Sequence, residues 1–190
     1  MSSESVLIHI YNGFVELFQK FGMKAYIQGD WIATQIINAS ANHNESQLAD
    51  AKQTYRNKLD ILSRAGIQNM ATWHDQAVGL HNKNKSKDSD AIRNTSEINK
   101  SECVITLAEQ LNPEFKHWGS IALMAYAVGQ GKRCYIVSHP DNVIRRSHFV
   151  YHPLIMHFDT LDDFVVYILN NLVVDVDEPS VTFENTKRKK

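Results

Sequence analysis

The run from Trp118 to Pro140, WGSIALMAYAVGQGKRCYIVSHP, constrains the fold more than any other stretch. Ile121, Ala122, Ala125, Val128 and Gly129 recur at helical spacing and predict a buried helix opening near Gly119. Gly129 and Gly131 weaken and end it, and Lys132 stands where a cation suits a helix C-terminus. Cys134 to Val137 is then a short continuous apolar run, the mark of a strand covered on both faces. A loop that opens into a helix at a glycine presents backbone N–H groups to whatever lies above the sheet. An ordinary helix–strand unit of an α/β core accounts for the same residues.

The same alternation runs through the chain. Leu7, Ile10, Phe14, Leu17, Phe18 and Phe21 form an amphipathic stripe between Ser5 as N-cap and Gly22 as stop. That helix would cover the sheet or make an oligomer contact. Lys24 to Ile27 is the first strand, followed by Gln28, Gly29, Asp30 and Trp31. A helix from Trp31 to Ile37 and a polar break from Asn38 to Ser46 come next, with Asn44 or Ser46 as N-cap. Leu48, Ala51, Tyr55, Leu59 and Leu62 make the next stripe, stopped by Gly66. Ile67 to Thr72 reads as a second strand ending in Trp73, His74 and Asp75. A histidine and an aspartate at a strand's carboxyl end are either catalytic or loop anchors, so Asp75 is a candidate acid.

His81 to Asp90 is a polar loop whose lysines would steer a phosphate or stay solvated. Asp90 to Lys100 makes a short helix with Ile92 and Ile98 on its inner face, and Cys103 to Leu107 is a third, central strand. After Pro140 the chain is polar and irregular; Arg145 and Arg146 suit a phosphate fork or a salt-bridged surface. Leu154 to Phe158 is the last strand. Thr160 and Asp163 form a capping box for a helix with Leu161, Phe164, Val165, Ile168 and Leu172 inward. Strand–helix alternation of this kind predicts one α/β domain over 1–172, with 1–22 as a helical extension and 173–190 as a flexible tail. The expected core is a Rossmann-like or flavodoxin-like, mostly parallel five-stranded sheet with helices on both faces.

A net charge of −1 argues against a general polyanion binder, so no strong nucleic-acid partner is expected. No run is long enough to span a bilayer, and no basic flank precedes the first apolar residues, so neither a membrane span nor a signal peptide is expected. The two cysteines, Cys103 and Cys134, fall inside predicted buried strands and read as core thiols, which suits a cytoplasmic protein. Lys187 to Lys190 is either a nuclear address or a solvated tail. The nine histidines form no i, i+4 pair with a carboxylate partner, so neither a metal nor another cofactor is expected.

The motif GSIALMAYAVGQGK at 119–132, followed by a strand, resembles the signature of the nucleoside 2-deoxyribosyltransferase-like superfamily. That group includes the deoxyribosyltransferases and the deoxynucleoside 5′-monophosphate N-glycosidases. Its usual form is a glycine, a few residues, a glutamate, then a small-residue helix closing on Gly-Lys. Counted back from Gly131 and Lys132, Gly119 and Tyr126 match and Ala125 stands in for a glycine. The family's nucleophilic glutamate falls on Leu123. The resemblance is concentrated in residues 24–33 and 90–140.

It implies that Gly29 and Trp31 belong to a base pocket and that Asp30 points into it, although Gly-Asp is otherwise simply a turn. The family's second acid, which assists the nucleophile and contacts the sugar, falls on Glu102. Ser120 and the helix N-terminus would face any phosphate. Leucine cannot attack an anomeric carbon, and loss of a nucleophile costs many powers of ten in rate. The resemblance therefore implies a nucleoside- or nucleotide-binding protein without glycosyl transfer, with ligand contacts from Gly29, Asp30, Trp31, Glu102, Gly119, Ser120 and Leu123. It also implies a homo-dimer or higher homo-oligomer. The alternative is an enzyme in which Glu102, Asp30 or Asp75 activates water for N-glycoside hydrolysis, and a third possibility is a structural or interaction subunit.

Overall fold

The computed structural model describes residues 22–73, 87–111 and 117–172. The expected helix over 5–21, His74 and Asp75, most of the 81–90 loop and the tail from 173 lie outside the described residues. So do the side chains of Asp30, Trp31 and Leu172.

Five strands form one all-parallel sheet: β1 (Met23–Gln28), β2 (Ile67–Asn69), β3 (Cys103–Ala108), β4 (Arg133–Ser138) and β5 (Ile155–Phe158). Their order is β2-β1-β3-β4-β5. The central strand β3 is buried along its whole length, as the apolar run CVITLA requires of a strand covered on both faces. On one face Ile27, Ile105, Leu107, Tyr135 and Val137 pack under helices α1 (Asp30–Ala41), α2 (Glu45–Arg64) and α5 (Leu161–Leu172). On the other, Tyr26, Val104, Cys134 and Ile136 pack under α3 (Lys87–Asn99), α4 (Trp118–Gly129) and two 3-10 turns at Val143–Arg146 and His148–Tyr151. This is the expected Rossmann-like α/β architecture with helices on both sides.

Several elements differ from expectation for physical reasons. Helix α1 runs on to Ala41 because Ile36 and Ala39 are both buried, which shrinks the polar break to residues 42–44. Asn44 is the N-cap of α2, its side chain accepting from the Gln47 N–H at 3.1 Å. Strand β2 ends at Asn69 and not Thr72, because the Asn69 side chain bonds both the N–H and the carbonyl of Ala71 and turns the chain away. That leaves the Ile27 carbonyl of β1 without a strand neighbour, and Tyr55 and Trp73 donate to it instead at 3.2 and 2.9 Å. Ile92 was expected inside beside Ile98, yet it is exposed. Six residues on a helix turn through about 600°, so the two cannot share a face. In α4 the buried stripe is Ser120, Met124 and Ala127, while Ala122, Ala125 and Gly129 face outward.

Lys132 corrects a local reading. Its ammonium does not serve the end of its own helix. It donates to the carbonyls of Ile98 (2.6 Å), Asn99 (3.1 Å) and Ser101 (2.5 Å), at the C-terminus of α3. Gly131, at φ +74, is what lets the chain turn out of α4. The closing helix α5 begins as expected, with Thr160 Oγ1 accepting from the Asp163 N–H at 3.1 Å. Among the described residues no helix is long and apolar enough to cross a membrane.

Candidate functional site

In a parallel sheet ordered 2-1-3-4-5 the connections from β1 and β3 leave toward opposite faces, and the crevice between their carboxyl ends is where ligands bind. In this chain the crevice is bounded by Gly29 on one side and Leu107 to Gln110 on the other. Gly29 is buried, and its carbonyl accepts from the Ala33 N–H at 2.9 Å, so it opens α1. A Cβ at Gly29 would lie 3.3 Å from the Leu107 carbonyl oxygen. The glycine thus allows β1 to leave the sheet while pressed against β3.

On the α1/α2 side of this edge lies a cleft of about 320 Å³, with Ile32, Ala51 and Leu107 as its apolar part and Gln35, Gln47, Asp50, Thr54 and Gln110 as its polar part. Glu109, the residue after β3, is ion-paired with Lys58 of α2 at the cleft's flank. The volume is at the lower end of the range for small-molecule sites.

On the opposite face the carboxyl ends carry buried polar side chains: Gln28, Thr106, Ser120 and Ser138. Alternation along each strand puts Gln28, Thr106 and Ser138 on the α4 side. Gln28 Nε2 donates to Thr106 Oγ1 at 2.7 Å and to the Ser120 carbonyl at 3.1 Å, pinning the first turn of α4 to β1 and β3. Gln28 Oε1 is buried without a hydrogen-bond partner among the described residues. His117 precedes α4 in the left-handed conformation at φ +52 and is buried. Its carbonyl accepts from the Ile121 N–H at 3.0 Å, so the N–H groups of Trp118 and Gly119 have no partner within the helix.

Of the residues singled out in the sequence, Gly29, Gly119, Ser120 and Leu123 are brought to this carboxyl edge. Leu123 is half-buried, packed on the α4 side of the core one turn below Ser120. Asp30 and Trp31 open α1 at the same edge, with side chains outside the described residues, as is Asp75 entirely. Glu102 is not with them. It precedes β3, and its Oε2 accepts from the Lys24 N–H at 2.9 Å at the amino end of β1. Strand register sets Glu102 five residues, roughly 16 Å, from the level of Leu107. Its local role is to satisfy a strand-end N–H.

An acid that the fold brings to the carboxyl edge, alongside Asp50 in the cleft, is Glu109, which in the sequence is only one polar loop residue among several. Gln28, Thr106 and Ser138 were also missed. The readable signal was a polar side chain ending each of three apolar strands. Arg145 proves to be a main-chain fork. Nη2 donates to the carbonyls of Ser138 and Phe158 at 2.6 and 2.9 Å and pairs with Asp159 at 2.8 Å, while Nε bonds Ser138 Oγ at 2.8 Å. No group of His, Cys, Asp and Glu among the described residues could hold a metal ion.

Both cysteines are buried free thiols, on opposite faces of the sheet. Burial pushes Cys134 up to about 12, and burial together with the neighbouring Cys134 and Glu102 pushes Cys103 up as well. Neither is a nucleophile at neutral pH. Comparison with known proteins finds no matching family model, no matching curated protein and no matching solved structure.

Proposed function

We propose that this chain binds a nucleoside or nucleotide at the carboxyl edge between β1 and β3 and does not carry out nucleophilic glycosyl transfer. One observation carries the reading: the strand order reverses between β1 and β3, the place where open parallel sheets hold their ligands. Gly29 keeps the crevice clear of a side chain, and the N-terminus of α4 offers main-chain donors to an anionic group. Leu123 supports the absence of transfer, since it sits where the resembling family has its attacking carboxylate and offers only hydrocarbon. The ligand contacts in this reading are Gly29, Asp30, Trp31, Gly119, Ser120 and Leu123. The protein works as a homo-oligomer, in the cytoplasm.

A second reading, hydrolysis of an N-glycoside, is favoured by Glu109, a carboxylate at the same edge held beside Lys58. It lies on the α2 side and so would act from a different direction than the family's nucleophile. Asp75 remains a second candidate acid, whereas the position of Glu102 at the other rim speaks against its direct participation.

The test is calorimetric titration with nucleosides and nucleoside 5′-monophosphates, followed by chromatography of the incubated mixtures. Saturable binding with intact ligand is the expected result. Release of free base that disappears in Glu109→Gln would replace the binder with the enzyme. No heat from any of these ligands would refute both.

A further inference from the structure

The cleft on the α1/α2 side of the carboxyl edge does not stop at Lys58. A second cleft of about 390 Å³ shares Thr54, Lys58 and Glu109 with it and continues to Thr160, Leu161 and Asp162 at the start of α5. Gln47, Asp50, Thr54, Lys58 and Ile61 of α2 fall three or four residues apart, so one stripe of that helix walls both halves of a single groove. From Gln47 to Ile61 the stripe runs about 21 Å. Apolar ground lies along it, Ala51 and Leu107 in the first half and Ile61 and Leu161 in the second. Charge along the groove is one-sided. Asp50, Glu109 and Asp162 stand against Lys58 alone, three acids to one lysine, an excess of two negative charges.

We propose that this groove binds a linear organic polyamine, its ammonium groups set against Asp50, Glu109 and Asp162 and its methylenes on the apolar ground between them. The inference is independent of nucleotide binding. The excess of negative charge repels a phosphate or carboxylate ligand. A metal ion does not fit either, because among the described residues no group of His, Cys, Asp and Glu converges closely enough to hold one. The acids are strung out instead: Asp50 and the Ile61 end of the groove lie roughly 16 Å apart along α2, so only an extended cation reaches both. Among the described residues the Asp50 and Asp162 carboxylates have no hydrogen bond or ion pair. Glu109 gives Lys58 only its Oε2, which leaves Oε1 for a second ammonium. Lys58 itself shows the mode of contact, an alkyl stem lining the groove with its ammonium on Glu109.

Calorimetric titration of the full chain with spermidine at about 0.15 M salt is expected to give saturable binding of one molecule per chain. The monoamine 1-aminobutane should bind about tenfold more weakly or worse, since it meets one acid at a time. Asp50→Asn and Asp162→Asn should each weaken spermidine about tenfold, with the melting temperature of the free protein retained. Asp60→Asn, an exposed acid of α2 outside the groove, should leave the affinity unchanged. Should Asp162→Asn fail to fold for want of an acid in the first turn of α5, Asp50→Asn decides. No heat from spermidine overturns the proposal, as does an affinity that survives both groove variants. An equal loss in Asp60→Asn, or displacement by an equal concentration of magnesium chloride, would show diffuse attraction to the surface and overturn it too.

Discussion

Lys132 carries more of the fold than its half-buried position suggests, because its three partners are main-chain oxygens at and just beyond the end of α3, gathered by one ammonium. Lys132→Met should lower stability by about 2 kcal/mol, the scale of a charged hydrogen-bond set, read as a fall in the urea midpoint at unchanged slope. The Gly-Lys step was visible in the sequence, but the helix it serves was not, since spacing reports only the nearest helix end. The thiol of Cys134 gives a second expectation. The folded protein keeps that proton up to about 12, whereas the unfolded chain gives it up from the ordinary value of 9.0. Unfolding therefore releases a proton between those values, and the thiol's contribution to stability should be constant below pH 9 and fall above it. Denaturation at pH 8 and pH 10 checks this, and Cys134→Ala should reduce the difference without removing it, because burial pushes up Cys103 and Tyr135 as well. Gln28 could have been noticed as a polar end to an apolar strand, but its bond to the Ser120 carbonyl joins residues 92 positions apart and leaves no local trace.

At the level of elements, the two glycines ending α4 have different tasks. Gly131 sits at φ +74, where a Cβ costs about 1 kcal/mol or more. Gly129 is helical, and a Cβ there would meet nothing within 4 Å. Gly131→Ala should therefore destabilise the protein by about 1 kcal/mol, and Gly129→Ala should stabilise it by roughly 0.5–1 kcal/mol. Thermal melts of the two variants should move in opposite directions. Helix and strand identities were legible because β-branched runs and caps such as Asn44 and Thr160 carry their own signal. The face of α4 was not, because alanine and glycine are at home inside and outside alike, so a stripe of them fixes no orientation. The length of β2 was set by an asparagine side chain that turned the backbone, which apolar content alone does not register.

For the whole molecule, strand–helix alternation was enough to foresee a parallel sheet with two covered faces. It did not foretell at which end of a strand a residue would act, and Glu102 is the cost of that gap: an acid written just before a parallel strand arrives at its amino end. Gly29 follows the carboxyl end of β1, and the first turn of α4 with Gly119 and Ser120 is tied to that end through Gln28. A ligand held there at a hundred times its dissociation constant should stabilise the chain by about 2.7 kcal/mol, giving the binding proposal a melting-temperature readout alongside calorimetry. The amino rim, meanwhile, is stitched by charge to main chain at two points, Glu102 onto the start of β1 and Lys132 onto the end of α3. The carboxyl rim is fastened in the same manner, by Arg145 onto the last carbonyls of β4 and β5. With both rims pinned to main chain, the connecting loops can change in length and sequence without loosening the seam that keeps the strands in line.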